Sequence, residues 1–234
     1  MRPATRALSA AVVLILGVAP ARAMDPTGTV GPGKGALGEG RSEAPCGSIF
    51  SRTDGPYENG YAWLYGGNVP PQYGAFAECY SGSYEICGVA LDLTTVGFGA
   101  EGTFEIYLWG DGGGQPGAVL AMLHIPDHGG MGFWPNVTRN VYAFSAPTCV
   151  DGVWWVGFRG TWEWADIFIA ADLDGPLGCP RTNIAPGFGF PTGWQDVSVA
   201  WAPTHSLGIG AQINVCLPVP DRPSTWGRVK RLYF

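Results

Sequence analysis

The chain has 234 residues, 46% of them hydrophobic and only 14% charged, which excludes a disordered chain. Its 37 glycines follow no Gly-X-Y period, so collagen is excluded too. The formal net charge is -6, and between Cys46 and Leu217 fifteen acids face Arg52, Arg139, Arg159, Arg181 and no lysine. Phosphate backbones need clustered Lys and Arg, so nucleic acid is not an expected partner. Such a surface suits cations, neutral glycans or basic partners.

Residues 1–23 read as a signal peptide. Arg2 and Arg6 form its charged start, Ala7 to Val18 its apolar run, and Ala21-Arg22-Ala23 its small-x-small cleavage pattern. Twelve helical residues span only about 18 Å of a roughly 30 Å hydrocarbon layer. No transmembrane segment is therefore expected, and the protein is expected to be secreted, extracellular or at the cell surface. Residues 24–45 carry six Gly and three Pro with almost no large apolar side chain, and read as a flexible linker. The formal GxGxxG of Gly33 to Gly38 lacks the strand and helix that a dinucleotide site requires.

From Cys46 to Leu217 the pattern is strand after strand. Cys87, Val89, Leu91 and Leu93 alternate, as do Phe104, Ile106 and Leu108, and then Val119, Ala121, Leu123 and Ile125. Trp109 to Gly117, rich in glycine, closes a predicted hairpin. Further strands are predicted at 141–144, 153–158, 167–171, 197–201 and 213–217. With turn residues at short spacing, this predicts one all-β domain over 46–217, a two-sheet antiparallel sandwich or jelly roll, with a closed barrel as the alternative.

Cys46, Cys79, Cys87, Cys149, Cys179 and Cys216 form an even set behind an export signal, so three disulfides are expected. Fifteen connectivities are open. A loop centred on Ser83 favours Cys79 with Cys87. Cys149 with Cys179, and Cys46 with Cys216, complete that scheme. Beyond the domain, residues 218–234 form a Pro-rich connector and a basic-aromatic tail. Trp226, Arg228, Lys230 and Arg231 are its candidate docking residues, and a loosely packed chain end is the plainer reading.

Four stretches resemble a loose group of uncharacterised secreted bacterial β-sandwich proteins. They are Asp54-Gly-Pro-Tyr-Glu-Asn-Gly-Tyr-Ala-Trp63, Gly114-Gln-Pro-Gly-Ala-Val-Leu120, Trp154-Trp-Val-Gly-Phe158 and the Trp226-Gly-Arg-Val-Lys230 ending. The resemblance implies secretion and a sandwich fold, and implies no catalytic residue.

No GxSxG, P-loop or HExxH occurs. His124 and His128 are four apart but flank Pro126, which reads as a loop rather than a helical metal face. Asp172 and Asp174, followed by Gly175, are candidate calcium ligands or an ordinary acidic turn; Asp111 has a weaker version of that pattern. No other cofactor is expected. Indole faces stack on sugar rings, so the candidate ligand-binding residues are Trp109, the Trp162-Glu163-Trp164 run and Trp194 with its neighbours Gln195 and Asp196. Their alternative role is core packing. The leading expectation is a secreted, non-catalytic sandwich binding a neutral glycan or another cell-surface component. A structural or assembly protein of the cell exterior follows, then a glycan-directed hydrolase. An exposed row of Trp would favour the first, a long unpaired edge strand the second, and a cleft of converging acids the third.

Overall fold

The computed structural model describes residues 26–42, 46–64, 72–97, 103–160 and 167–216. The predicted signal peptide, the predicted tail and Trp162, Glu163 and Trp164 lie outside the described residues. In chain order the strands are β1 (Thr27–Thr29), β2 (Ala36–Ser42), β3 (Ser48–Phe50), β4 (Asn59–Trp63), β5 (Ala75–Ser81), β6 (Tyr84–Thr95), β7 (Phe104–Asp111) and β8 (Pro116–Ile125). They continue as β9 (Gly132–Phe133), β10 (Asn136–Val150), β11 (Val153–Gly160), β12 (Phe168–Asp172), β13 (Arg181–Ile184), β14 (Gly193–Asp196), β15 (Ser206–Leu207) and β16 (Ile209–Asn214). Among the described residues no helix is long and apolar enough to cross a membrane.

Two sheets pack face to face, as the alternating pattern predicts. The larger runs β1-β4-β12-β6-β10-β2, with β3, β9, β15 and β16 joined to it; the smaller runs β14-β13-β5-β11-β7-β8. Pairing is antiparallel except for β2 on β10 and β9 on β6. Period-2 alternation sends Val89, Leu91 and Leu93 of β6 inward to meet Phe104, Ile106 and Leu108 of β7 and Trp154, Val156 and Phe158 of β11. Burying so many large side chains is the main driving force for this fold.

Four expectations are corrected. Residues 26–42 do not form a linker, because β1 pairs with β4 and β2 pairs with β10. Backbone pairing holds them there despite their lack of large side chains. Residues 197–201 are not a strand: Asp196 accepts a hydrogen bond from Ser198 N and caps a 3-10 turn over Val197–Val199. That local cap overrides the β-propensity of the valines. The last strand runs from Ile209 to Asn214 rather than over 213–217. All six cysteines are paired, but the disulfides are Cys46–Cys87, Cys79–Cys179 and Cys149–Cys216. The scheme of Cys79 with Cys87 assumed that β5 and β6 pair as a hairpin. Instead the chain changes sheets at Gly82, since β5 pairs with β11 and β13 while β6 pairs with β10, β12 and β16.

Candidate functional site

The outer face of the large sheet holds the densest polar arrangement. With Leu91 and Leu93 turned inward, β6 presents Asp92 outward, yet it is only 1% exposed. The strand register sets Arg139 of β10 opposite Asp92. Arg139 Nε and Nη2 donate to the two Asp92 oxygens at 2.7 and 2.6 Å, a bidentate ion pair. These bonds to Asp92 push the guanidinium further toward its charged form, against burial. Residues 51–58 cross over this pair. Tyr57 is fully buried on Val137 and Ala170, and its hydroxyl donates to Asp92. Burial first, and then the Asp92 charge, push the Tyr57 phenol far above its usual range, so it stays a donor.

A relay of hydroxyls leads outward from that point. Thr53 Oγ1 lies 3.0 Å from Tyr57 Oη, and Ser51 Oγ lies 3.0 Å from Thr53 Oγ1. The single Tyr57 proton is committed to Asp92, so Thr53 donates to Tyr57 and Ser51 donates to Thr53. Ser51 Oγ accepts from Thr53 N at 3.4 Å and keeps one further acceptor position. The relay opens into a cleft of about 440 Å³ lined by Ser51, Thr53, Asp54, Pro56, Leu37 and Arg139. The bonds to Asp92 use Nε and Nη2 of Arg139, and Nη1 takes no part in that pair. One wall therefore offers acceptors, Ser51 Oγ and the exposed Asp54 carboxylate, and another offers a donor on a guanidinium whose charge Asp92 balances.

The predicted calcium ligands lie at one end of the same crossing segment. Asp54, Asp172 and Asp174 each place a carboxylate oxygen within 4.8 Å of the others. Most of the Asp172 bonding capacity is spent locally. It accepts from Asp54 N at 3.1 Å, Asp174 N at 3.3 Å and Gly175 N at 2.6 Å. A Cβ at Gly175 would lie 2.3 Å from Asp172 Oδ2, so the motif Asp172-Leu-Asp-Gly175 needs its glycine to close this turn. Glu58 accepts from Leu173 N, and the Lys34 ammonium sits 3.4 Å from Glu58 and 3.8 Å from Asp174. The cluster thus carries its own cation.

The outer face of the small sheet receives Trp109 and Trp194 of the predicted aromatic residues, and for Trp109 the structure corrects the expectation. Trp109 is 0% exposed, stacked on Tyr107 at 4.8 Å and met edge-on by Trp194 at 5.5 Å. With Trp155 and Ala77 these rings form a packed cluster, not a sugar platform. Trp194 is half-buried at its margin. Gln195 bonds the Thr192 carbonyl, and Asp196 is occupied by Arg181 and by its capping of Ser198. Asp111 caps its own hairpin, accepting from Gly113 N, Gly114 N and Trp155 Nε1, and the Trp155 bond leads in holding its carboxyl below the usual range. No histidine joins a metal-capable group among the described residues. His128 and His205 instead bond the carbonyls of Gly129 and Gly175.

The polar centre of Asp92, Arg139, Tyr57, Thr53 and Ser51 was missed by reasoning from the sequence. Its one signal was an acid inside the apolar run Val89-Ala-Leu-Asp-Leu93, with a lone arginine on another strand. Nothing local says that the two meet. No family model, curated protein or solved structure matches this chain.

Proposed function

We propose that the protein is a secreted, non-catalytic β-sandwich that binds a neutral, hydroxyl-rich ligand, a glycan or a similar surface component, in the cleft over Arg139. The observation that carries this reading is the arrangement of Ser51, Asp54 and Arg139 around one cleft. A sugar hydroxyl donates and accepts at once, and this cleft offers acceptors facing a donor. Asp92 balances the Arg139 charge, so the cleft has no surplus positive charge to favour an anionic ligand. Leu37 and Pro56 supply the apolar wall against which C–H edges rest. Three disulfides suit an oxidising compartment, as does the export signal expected at residues 1–23.

The test is titration of the mature chain against an array of neutral oligosaccharides. The expected affinity is on the order of micromolar to millimolar, with little dependence on salt. Ser51→Ala and Asp54→Asn each weaken binding while the melting temperature holds. Trp194→Ala leaves it intact. A blank array, or binding lost with Trp194 but not with Ser51, overturns the reading.

A further inference from the structure

The geometry points to β8 as a self-association edge, pairing antiparallel with β8 of a second copy of this chain about a two-fold axis. Among the described residues β8 pairs only with β7, and it ends the small sheet. Its outward backbone groups have no partner among the described residues. The strand is ten residues long and contains no Asp, Glu, Lys or Arg. The other edges differ. β1 and β3 have three residues each, β9 and β15 two, β14 has four, and β2 carries Glu39 and Arg41. Short or charged edges resist pairing with another chain, and a long uncharged one invites it. β8 does carry two register shifts against β7, one beside Leu120, where Leu108 faces Ala121 and Trp109 faces Val119, and one before Val119, where Asp111 faces Pro116. Beyond them Ala121 to Ile125 run in unbroken register with β7.

A second copy fits this edge because the edge matches itself. Ala118 to Leu123 are all apolar, so an antiparallel register centred in that run sets apolar side chains opposite apolar ones, with no like charges facing. Val119, Leu120 and Met122 are 44%, 46% and 51% exposed, and pairing would cover them. Leu120 and Val153 also border a cleft of about 560 Å³ beside the strand, into which a partner side chain can seat. Isologous pairing closes on itself, and the blunted remaining edges leave no route to a fibre. The strand is about 34 Å long and a side-chain layer roughly 10 Å thick, so one strand pair covers about 340 Å² per copy. That is below the roughly 800 Å² per partner of a standard interface, so the dimer is weak, with Kd on the order of ten to a hundred micromolar. Asp111 and Asp151 line the same cleft, and both copies are acidic overall. Added salt therefore strengthens the dimer, whereas it would weaken binding of a basic partner.

Sedimentation of the mature, disulfide-intact chain tests this. The expected result is a concentration-dependent dimer that tightens with salt. Leu120→Lys and Met122→Lys should each raise Kd about tenfold or more, with unchanged melting temperature, since both side chains are exposed. Hydrogen exchange at high and low protein concentration should show concentration-dependent protection within 116–125. A monomer at every soluble concentration overturns the proposal, and so does a dimer that survives both lysines or leaves the β8 amides unprotected. Association only with a basic partner, weakened by salt, also overturns it. None of these readouts involves the cleft over Arg139.

Discussion

The two outer faces of the sandwich make opposite use of their residues. The small sheet's outer face carries Trp109, a ligand-binding candidate in the sequence, beside Tyr107 and Trp155, yet these three rings are at most 5% exposed. The large sheet's outer face looks unremarkable in the sequence, yet it buries an ion pair beneath residues 51–58 and leaves a polar cleft beside it. Aromatic residues at strand spacing collapse onto one another unless something prevents it, because burying them is favourable. Polar groups on a covered face must instead find partners, and their leftover bonding capacity points outward.

The comparison breaks most sharply at the small sheet. Cys79 projects from β5 into the aromatic cluster and is bonded to Cys179, 100 residues away. Replacing both by Ser should cost about 4–5 kcal/mol by loop-closure entropy, read by chemical denaturation. Trp109→Ala should cost about 3–5 kcal/mol and leave binding in the cleft unchanged. Loss of binding at full stability would show that this face, not the other, holds the ligand.

On the large sheet, Asp92→Ala should cost about 3–4 kcal/mol, because Arg139 is left largely buried without a counter-charge. The double change with Arg139→Met should recover part of that loss. Full additivity would show that the two side chains do not act as a pair.

Glu78 offers a pH test at the junction of the two sheets. It is fully buried on β5, accepting from Cys179 N at 2.6 Å and from Leu207 N of β15 at 3.0 Å. Burial pushes its carboxyl up from 4.5 to about 7, against those hydrogen bonds. The folded state then holds a proton that the unfolded chain releases. This contribution is fully present below pH 4.5 and is lost as pH rises to about 7, a change on the order of 3 kcal/mol. Glu105 has the opposite sign. Burial raises its carboxyl, but Tyr107 and Arg159 outweigh that and leave it low, so its contribution is lost as pH falls. Glu78→Gln should flatten the fall in stability between pH 4.5 and 7 in denaturation curves taken across that window.

The smallest effect is expected at the relay. Tyr57→Phe removes the donor to Asp92 and should cost about 1 kcal/mol, with the Arg139 pair intact. It also frees Thr53 from donating inward, which should alter affinity in the cleft more than stability. An unchanged affinity would separate the relay from the site.

Strand identity was legible wherever side chains alternate, as in Val89-Ala-Leu-Asp-Leu93 or Phe104-Glu-Ile-Tyr-Leu108, because burial on one face imposes period 2 on the sequence itself. The glycine-rich hairpin after Trp109 was legible for the same kind of local reason: Gly113 and Gly114 adopt φ of +85°, which few other residues tolerate. The strands at 26–42 were not legible. They are held by hydrogen bonds to β4 and β10, and such bonds leave little mark on composition. Cysteine pairing, the cover over Trp109 and the meeting of Asp92 with Arg139 were decided only by the tertiary structure. Each depends on which sheet a strand joins after a turn, as at Gly82, and that choice is made by packing between residues far apart in the chain.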